Sequence, residues 1–516
     1  MDSSKICAVM EIGSNSIYFR IMQRKSDTME MLESIEYPLS LGKESFSTGK
    51  IEFEKVVKTC TLIEEFIELA KGYGIRAKDI TAVATTAIRE AKNRDYIVDQ
   101  IRVKTGIELK ILDDSEEKLY MYKEIIMKIK GLKELEKEPV MIAYIGSGSL
   151  GIAVYKKNRI IFSQNILIGT LKLSEILGDL KYKTDKLYIV IEDYMSSFTK
   201  MLPNILPEKN INNLIVSGSG IRFLRTQCCF SEKWDIRYFN KEDFGKVYNT
   251  VKDKNPEQLE RYYSISEDRA DMLLPSMGIY KSIMELTNAD RILSPVGDLV
   301  DAVLYSKMFD RESDELEEII KESTVLTAKN IAKRYCYDEE HAEFVERISL
   351  KMFDKMKKFH GMGERERLYL QLAAILHDVG KYINVKNHYR HSYNVIAASD
   401  ILGLTDREIN IIANIAKYHS RELPGEENKG YKGIEESERV MIAKLTAILR
   451  VADGLDRSHL QKVQEFEIAI KGNELTIVVA GDKNILIDEW TFMKKSKFME
   501  EVFGIKTSIK KRGREI

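Results

Sequence analysis

Residues 7–22 read CAVMEIGSNSIYFRIM. An apolar run reaches Glu11, breaks into Gly13, Ser14, Asn15 and Ser16, and resumes in apolar and aromatic residues at Ile17. That reads as strand, tight polar turn, strand, with an acid at the end of the first strand. Residues 144–155, YIGSGSLGIAVY, repeat the pattern. Both stretches carry Ile-Gly-Ser-x-Ser between β-rich runs, 133 residues apart when position 144 is set against position 11. A unit recurring at domain distance predicts two similar α/β lobes, each offering one loop to a shared cleft.

The residues around the first turn alternate in character. Strands are expected near 5–11, 16–23, 30–37, 80–84 and 108–112, and helices near 52–72, 87–105 and 115–130, the last opening at Ser115 with Glu116 and Glu117 in its first turn. This is α/β order. A third glycine-rich turn, VSGSGIRFL with Gly218, follows a strand at 213–216. From about residue 312 the texture changes to long amphipathic helices, which continue to about 463. The end reads as a β-hairpin around Gly472–Asn473, a short helix and a last strand. Four parts are expected: lobe I over 1–130, lobe II over 131–310, an all-helical domain over 311–464 and a small α+β domain over 465–516.

The bulk numbers exclude several classes. With 80 basic and 81 acidic side chains, the net charge of −1 gives no global field for nucleic acid, and no sequence-specific nucleic-acid partner is expected. No window approaches the roughly 18 apolar residues of a membrane span, so no membrane partner is expected. Five scattered cysteines without metal-ligand spacing, and a start lacking a signal-length apolar run, point to a reducing cytoplasm. The basic end, KKRGREI, reads as a solvated terminus. All seven histidines lie beyond residue 340, so two different chemistries are expected in the two parts of the chain.

Gly13, Ser14, Asn15 and Ser16 can turn the backbone so that successive N–H groups and short hydroxyls point at one spot, a nest for phosphate oxygens. Gly146, Ser147, Gly148 and Ser149 can do the same in the second stretch. A single such turn is also what an ordinary hairpin uses; two of them, with the turn at Gly218, favour phosphate.

EIGSNS, TTAIREAKN at 85–93, SEEKLYMY at 115–122, YIGSGS and VSGSG follow one another in an order that resembles the exopolyphosphatase/guanosine-pentaphosphate phosphohydrolase (Ppx/GppA) family. The resemblance covers nearly the whole chain. It implies two ribonuclease-H-like, actin-like ATPase lobes, with inorganic polyphosphate or a (p)ppGpp-type nucleotide bound between them and a terminal phosphate hydrolysed. It also implies a homodimer. By residue-for-residue carry-over, Glu117, in a segment like Glu-Glu-Ala-Arg, would place or deprotonate the attacking water. Read without the resemblance, it is a helix-start carboxylate held by the dipole. Arg89 and Asn93 would face phosphate.

The sequence departs from the resembled pattern. Its first loop normally begins with Asp, here Glu11. The second normally reads Asp-Ile-Gly-Gly-Gly-Ser-Thr-Glu, and here the aspartate is Tyr144, the middle glycine Ser147 and the glutamate Gly151. Near 297 the arginine position is Val300. Mg²⁺ or Mn²⁺ among phosphates wants hard carboxylate oxygens. Glu11 can still ligate if the loop shifts, but Tyr144 and Gly151 replace no carboxylate.

The helical part carries His341, the adjacent His377 and Asp378 in LAAILHDVGKYI, and Asp453 in ILRVADGLDRSH. This is the His…His-Asp…Asp arrangement of the HD superfamily, suited to Mn²⁺, Fe²⁺, Zn²⁺ or Mg²⁺. His391 and His419, with His388 beside them, are the candidates for a second ion. Lys381 is placed to meet a phosphate oxygen or to lie solvated at a helix end. His360 and His459 fit no ligand position and read as surface residues.

The expected function is hydrolysis of terminal phosphate from polyphosphate or guanosine pentaphosphate. Two alternatives stay open: a polyphosphate or alarmone binding module that has lost turnover, and a metal-dependent hydrolase acting at the histidine site.

Overall fold

A computed structural model describes residues 5–25, 28–178, 180, 183–184, 186–228, 231–233, 236–425, 431, 433–480 and 484–511. The basic end from Arg512 and the fifth cysteine, Cys229, lie outside the described residues. The chain forms two compact units, Met1–Ser323 and Thr324–Ile516.

The first unit holds two sheets built on one plan. β1 (Ile6–Ile12), β2 (Ser16–Lys25), β3 (Thr28–Pro38), β4 (Thr81–Ala84) and β5 (Leu109–Ile111) form one sheet in the order β3-β2-β1-β4-β5. The other contains β6 (Val140–Ile145), β7 (Leu150–Lys156), β8 (Arg159–Ile166), β9 (Asn213–Gly218), β10 (Ser231–Lys233), β11 (Ile236–Asn240) and β12 (Arg291–Pro295), in the order β10-β11-β12-β9-β6-β7-β8. Strands 8-7-6-9-12 therefore repeat 3-2-1-4-5, with the same directions: the first three of each set are antiparallel neighbours, and the remaining pairings are parallel. The repeat expected from two glycine turns is the architecture of the unit. β6 is buried at every residue, which is why VMIAYI is an unbroken apolar run and not an alternating one.

Two local expectations shift. The helix expected over 87–105 is two helices, Thr86–Glu90 and Arg94–Thr105. Between them Asn93 clips the chain to Ile51, its amide donating to the carbonyl at 2.9 Å and its oxygen accepting the N–H at 3.2 Å. Asn93 thus holds two segments together and does not face a phosphate site. The helix expected from Ser115 spans Asp114–Ile129, because Asp113 caps it: its carboxylate accepts the Glu116 N–H at 2.8 Å while Glu116 accepts that of Asp113 at 3.2 Å.

The second unit is helical up to Gly454, with a sheet of β13 (Glu465–Lys471), β14 (Glu474–Ala480) and β15 (Lys506–Lys511) in that order. β15 runs parallel to β14, because the intervening helix, Leu486–Phe503, is a crossover of 18 residues where a short one was expected. Phe466, Leu475 and Ile477 of the sheet share one apolar core with Leu445 and Ile448 of the helices. Among the described residues no helix is long and apolar enough to cross a membrane.

Candidate functional site

In the first unit, the ends of β1 and β6 turn in the same way. The Gly13 N–H donates to the Ser16 carbonyl at 3.0 Å, and the Gly146 N–H to that of Ser149 at 2.8 Å. Each turn is pinned from outside through its carbonyls: Asn15 accepts from Leu39 and Ser40, and Ser147 from Leu171 and Lys172. Among the described hydrogen bonds, the N–H groups of Ser14, Asn15, Ser147 and Gly148 have no partner. The buried Ser14 hydroxyl has none either. Buried or turn-bound donors left open in this way are what an anion would satisfy. Ser16 points elsewhere, its hydroxyl donating to Glu36 at 3.2 Å. Gly218 serves packing: at φ +102°, a Cβ there would sit 2.1 Å from the Ile145 carbonyl.

Glu117 is buried at the start of the helix Asp114–Ile129. The Tyr144 hydroxyl donates to its Oε1 at 3.0 Å and Arg89 Nη1 to its Oε2 at 3.4 Å. Burial and the nearby Glu117 charge raise the Tyr144 phenol far above its ordinary range, so it stays a donor. Arg89 is fully engaged within the fold: it donates to Leu112 at 2.7 Å, to Thr86 at 3.0 Å and to Asp114. Glu11 sits opposite, where burial, then Asp298 and Glu117, push its carboxyl up to about 8 against the pull of Arg20 and Arg222.

Two arginines from elsewhere in the chain gather at the acids flanking Val300. Arg20 donates to Asp298 at 2.6 and 2.7 Å and to Asp301 at 2.7 Å, and Arg222 reaches Asp298 at 2.9 Å. The signal was present: a single arginine inside the apolar strand SIYFRIM needs a buried partner. Beside this group, burial raises Glu124 to about 7 although Lys128 lies at 2.5 Å. The folded chain therefore holds that proton more tightly than the unfolded chain, where the group titrates near 4.5. The associated stability is full below pH 4.5 and is lost as pH rises through 7, by about 3 kcal/mol. Urea unfolding of Glu124→Gln should show a flatter dependence over that window than wild type.

The second unit brings the predicted ligands together. His341 opens the helix Glu339–Lys355, His377 and Asp378 follow Glu364–Leu376, His388 opens His388–Ala397, His419 follows Asp406–Lys417, and Asp453 closes Glu436–Gly454. Asp378 stands between two groups. Its Oδ2 lies 3.7 Å from His341 Nε2 and 3.5 Å from His377 Nε2, and its Oδ1 lies 3.3 Å from His388 Nε2 and 3.6 Å from His419 Nε2. Asp453 Oδ1 completes the first group, 3.3 Å from His341 and 3.8 Å from His377. Ligand atoms about 2.1 Å from one ion lie roughly 3.0–3.5 Å apart, so these spacings of 3.3–3.8 Å need close by only a few tenths of an ångström to hold one.

The tautomers fit as well. The Nδ1 atoms of His377, His388 and His419 face the carbonyls of Ala374, Val385 and Ala416 at 2.7, 3.1 and 2.6 Å, and that of His341 faces Asp456 at 2.9 Å. Carbonyls and carboxylates only accept, so each Nδ1 donates and Nε2 is left to meet an ion; His341, whose Nε2 also faces Asp453 at 3.3 Å, would give up a proton there to do so. His341 and His377 then meet Nε2 to Nε2 at 3.3 Å, as do His388 and His419. Burial lowers His377 to about 4 and His419 well below its ordinary value, keeping both neutral. Burial opposes charge on His341, but hydrogen bonds to Asp453 and Asp456 push it up to about 9. Burial would raise Asp378 and Asp453, yet the surrounding histidines and lysines hold both far below the usual carboxylate range. The donor set suits a divalent cation.

Some assignments change. His388 occupies the place given to His391, which no described contact joins to the cluster. His459 is half-buried and engaged, not a free surface residue: its ring stacks on His341 at 3.6 Å, its Nδ1 donates to Asp338 at 2.8 Å, and Lys381 donates to its Nε2 at 3.1 Å. His360 is buried, accepting the Met362 N–H at 2.9 Å and donating to the Phe353 carbonyl at 2.8 Å. Lys381 reaches Asp378 at 2.5 Å, and Lys495, from the helix after β14, meets Asp453. Asp456 was missed because its role is to aim His341. Asp456→Ala should weaken Mn²⁺ or Zn²⁺ affinity by about 10- to 100-fold, measured by competition with a chelating dye.

Comparison with known proteins agrees with this division. A family model described as the Ppx/GppA phosphatase family matches residues 20–311, and one described as Ppx/GppA phosphatase, domain III, matches 320–493. A guanosine-5'-triphosphate,3'-diphosphate pyrophosphatase of Pseudoalteromonas translucida is 20% identical over 482 residues, covering 92% of each chain. Exopolyphosphatase 1 of Mycobacterium bovis is 28% identical over 110 residues, 21% of this chain and 31% of that one. The crystal structure of an exopolyphosphatase from Cytophaga hutchinsonii shares the fold, with TM-score 0.51 and 18% identity over 59% of this chain and 97% of that chain.

Proposed function

The chain belongs to the Ppx/GppA phosphatase family, and on that premise we propose that its first unit removes a terminal phosphate from inorganic polyphosphate or guanosine pentaphosphate. The observation that carries this is the pair of matching turns whose four open amides face no described partner, with Glu117 beside the second: a Cβ on Gly146 would lie 3.4 Å from its Oε1. The amides and the Ser14 hydroxyl bind phosphate oxygens. Water then bonds to the terminal phosphorus, the bridging P–O bond breaks with its electron pair leaving on the shortened chain, and the water's proton passes to Glu117. Tyr144 and Arg89 aim the carboxylate. Near-neutral charge and scattered cysteines without metal-ligand spacing support a cytoplasmic enzyme, which we take to be a homodimer of four-part chains divided near residues 130, 310 and 464. Phosphate release from long-chain polyphosphate and from guanosine pentaphosphate tests the reading. Release from neither by the full chain, with Mg²⁺ or Mn²⁺ supplied, overturns it and leaves a binding module if ligand is still held.

The facing Nε2 atoms favour a second reading for the second unit, an HD-type centre. His341, His377, Asp378 and Asp453 would hold one divalent ion, and His388, His419 and Asp378 another. Such ions supply a phosphate clamp and an activated water. Lys381 and Lys495 neutralise the carboxylates and meet a phosphate. Phosphatase activity that survives Glu117→Gln and is lost with His377→Ala and Asp378→Ala together would select this centre.

A further inference from the structure

In the register of β6 and β7, Tyr144 stands directly opposite Gly151, so both positions face the same side of the sheet. These are the two places where the resembled loop carries acids. Each is closed to a cation by something the helix Asp114–Ile129 brings. At 144, the hydroxyl is spent on Glu117 Oε1 at 3.0 Å. At 151, a Cβ would meet the Tyr122 hydroxyl at 2.6 Å and Lys118 Cδ and Cε at 2.7 and 2.9 Å. The stem of Lys118 fills the volume that a side chain at 151 would need. Its ammonium then donates to Ser149 Oγ, in the second glycine turn, at 2.8 Å and to Asn165 Oδ1 at 2.5 Å, with Asp114 Oδ2 at 3.7 Å. Where the resembled helix segment has alanine after two glutamates, this chain has Lys118. What is missing at 151 and what is gained at 118 are complementary in volume and opposite in charge.

Two further carboxylates are spoken for, and Glu11, for which no hydrogen bond or ion pair is described, is left without the two more donors that a set of three needs. Asp114 is shared by Arg89 and Lys118, and Asp298 by Arg20 and Arg222. Among the described residues, the three sets of side chains able to converge on an ion all lie in the second unit. The Mg²⁺ or Mn²⁺ expected in this cleft therefore finds no matching donor set. An ammonium needs none: it is a fixed single charge with three donors and no octahedral demand.

We infer that Lys118 and Tyr144 take the place of a divalent cation and its carboxylates beneath the second glycine turn, so that this cleft engages a phosphate chain without a metal of its own. Lys118 acts as a positioning residue, neutralising the turn through Ser149. The inference rests on the phosphate-chain reading of the cleft.

Calorimetric titration with inorganic tripolyphosphate tests it in the full chain, once in EDTA and once with excess Mg²⁺. Wild type is expected to bind in both, with affinities within about threefold. Lys118→Met, which keeps the stem and removes the charge, should lose at least tenfold in EDTA. Lys118→Ala with Tyr122→Phe and Gly151→Glu, which removes both obstructing groups and returns a carboxylate to the vacated volume, should bind only with Mg²⁺. If Lys118→Met does not fold, Ser149→Ala reports on the same place and should also weaken binding in EDTA. Wild-type binding only with Mg²⁺, or undiminished binding by both Lys118→Met and Ser149→Ala, overturns the inference and leaves the proposed function standing. Binding in neither buffer overturns both.

Discussion

Glu117→Gln should cut phosphate release from long-chain polyphosphate about a thousandfold while leaving binding of the polymer within about threefold. The substitution preserves shape. The amide oxygen still accepts from the Tyr144 hydroxyl, which lies 3.0 Å from Oε1, and only the weak Arg89 contact at 3.4 Å is lost, because the amide NH₂ in the Oε2 place cannot accept from the guanidinium. What disappears is a base able to take a proton from water. The loss therefore belongs in kcat, because the groups that would hold phosphate, the open turn amides and Ser14, are untouched. An equal loss of binding would show that Glu117 holds the fold of the cleft and performs no proton transfer. Unchanged release would move the chemistry to the second unit.

Chelation should produce the other large effect. Stripping divalent ions with EDTA is expected to lower the unfolding temperature of the second unit by roughly 10 °C, with recovery on adding Mn²⁺ or Zn²⁺. A ligand present at a thousand times its dissociation constant stabilises by about 4 kcal/mol, and a unit of this size shifts a few degrees per kcal/mol. His377→Ala together with Asp378→Ala should abolish the response, because Asp378 stands between both groups of imidazoles. A melting temperature indifferent to Mn²⁺, Fe²⁺, Zn²⁺ and Mg²⁺ would leave the facing Nε2 atoms to be joined by protons, with His341 the donor in its pair. Differential scanning calorimetry of the full chain separates this transition from that of the first unit.

Local pattern alone determined a good deal of this protein. Two Ile-Gly-Ser-x-Ser turns announced a duplicated lobe, because a strand that must turn sharply at a ligand has few residue types to do it with. The crowding of all histidines beyond residue 340 pointed to the cluster of imidazoles that the second unit assembles. The order His341, His377-Asp378, Asp453 named four side chains that the fold does bring together at helix ends.

The sequence could not say which of His388 and His391 turns inward, since both lie on one helix and its rotation is set by packing. Nor could it show that His459 lies against His341, or that Asp456 aims that ring, because those meetings join segments over a hundred residues apart. The same holds for Lys118. In sequence it is one lysine in a helix start, and its meaning appears only where its stem crosses Gly151 of another strand. Composition and spacing fix which groups are available to a chain. Long-range packing decides which of them share a volume, and a buried charge acts only on what shares its volume.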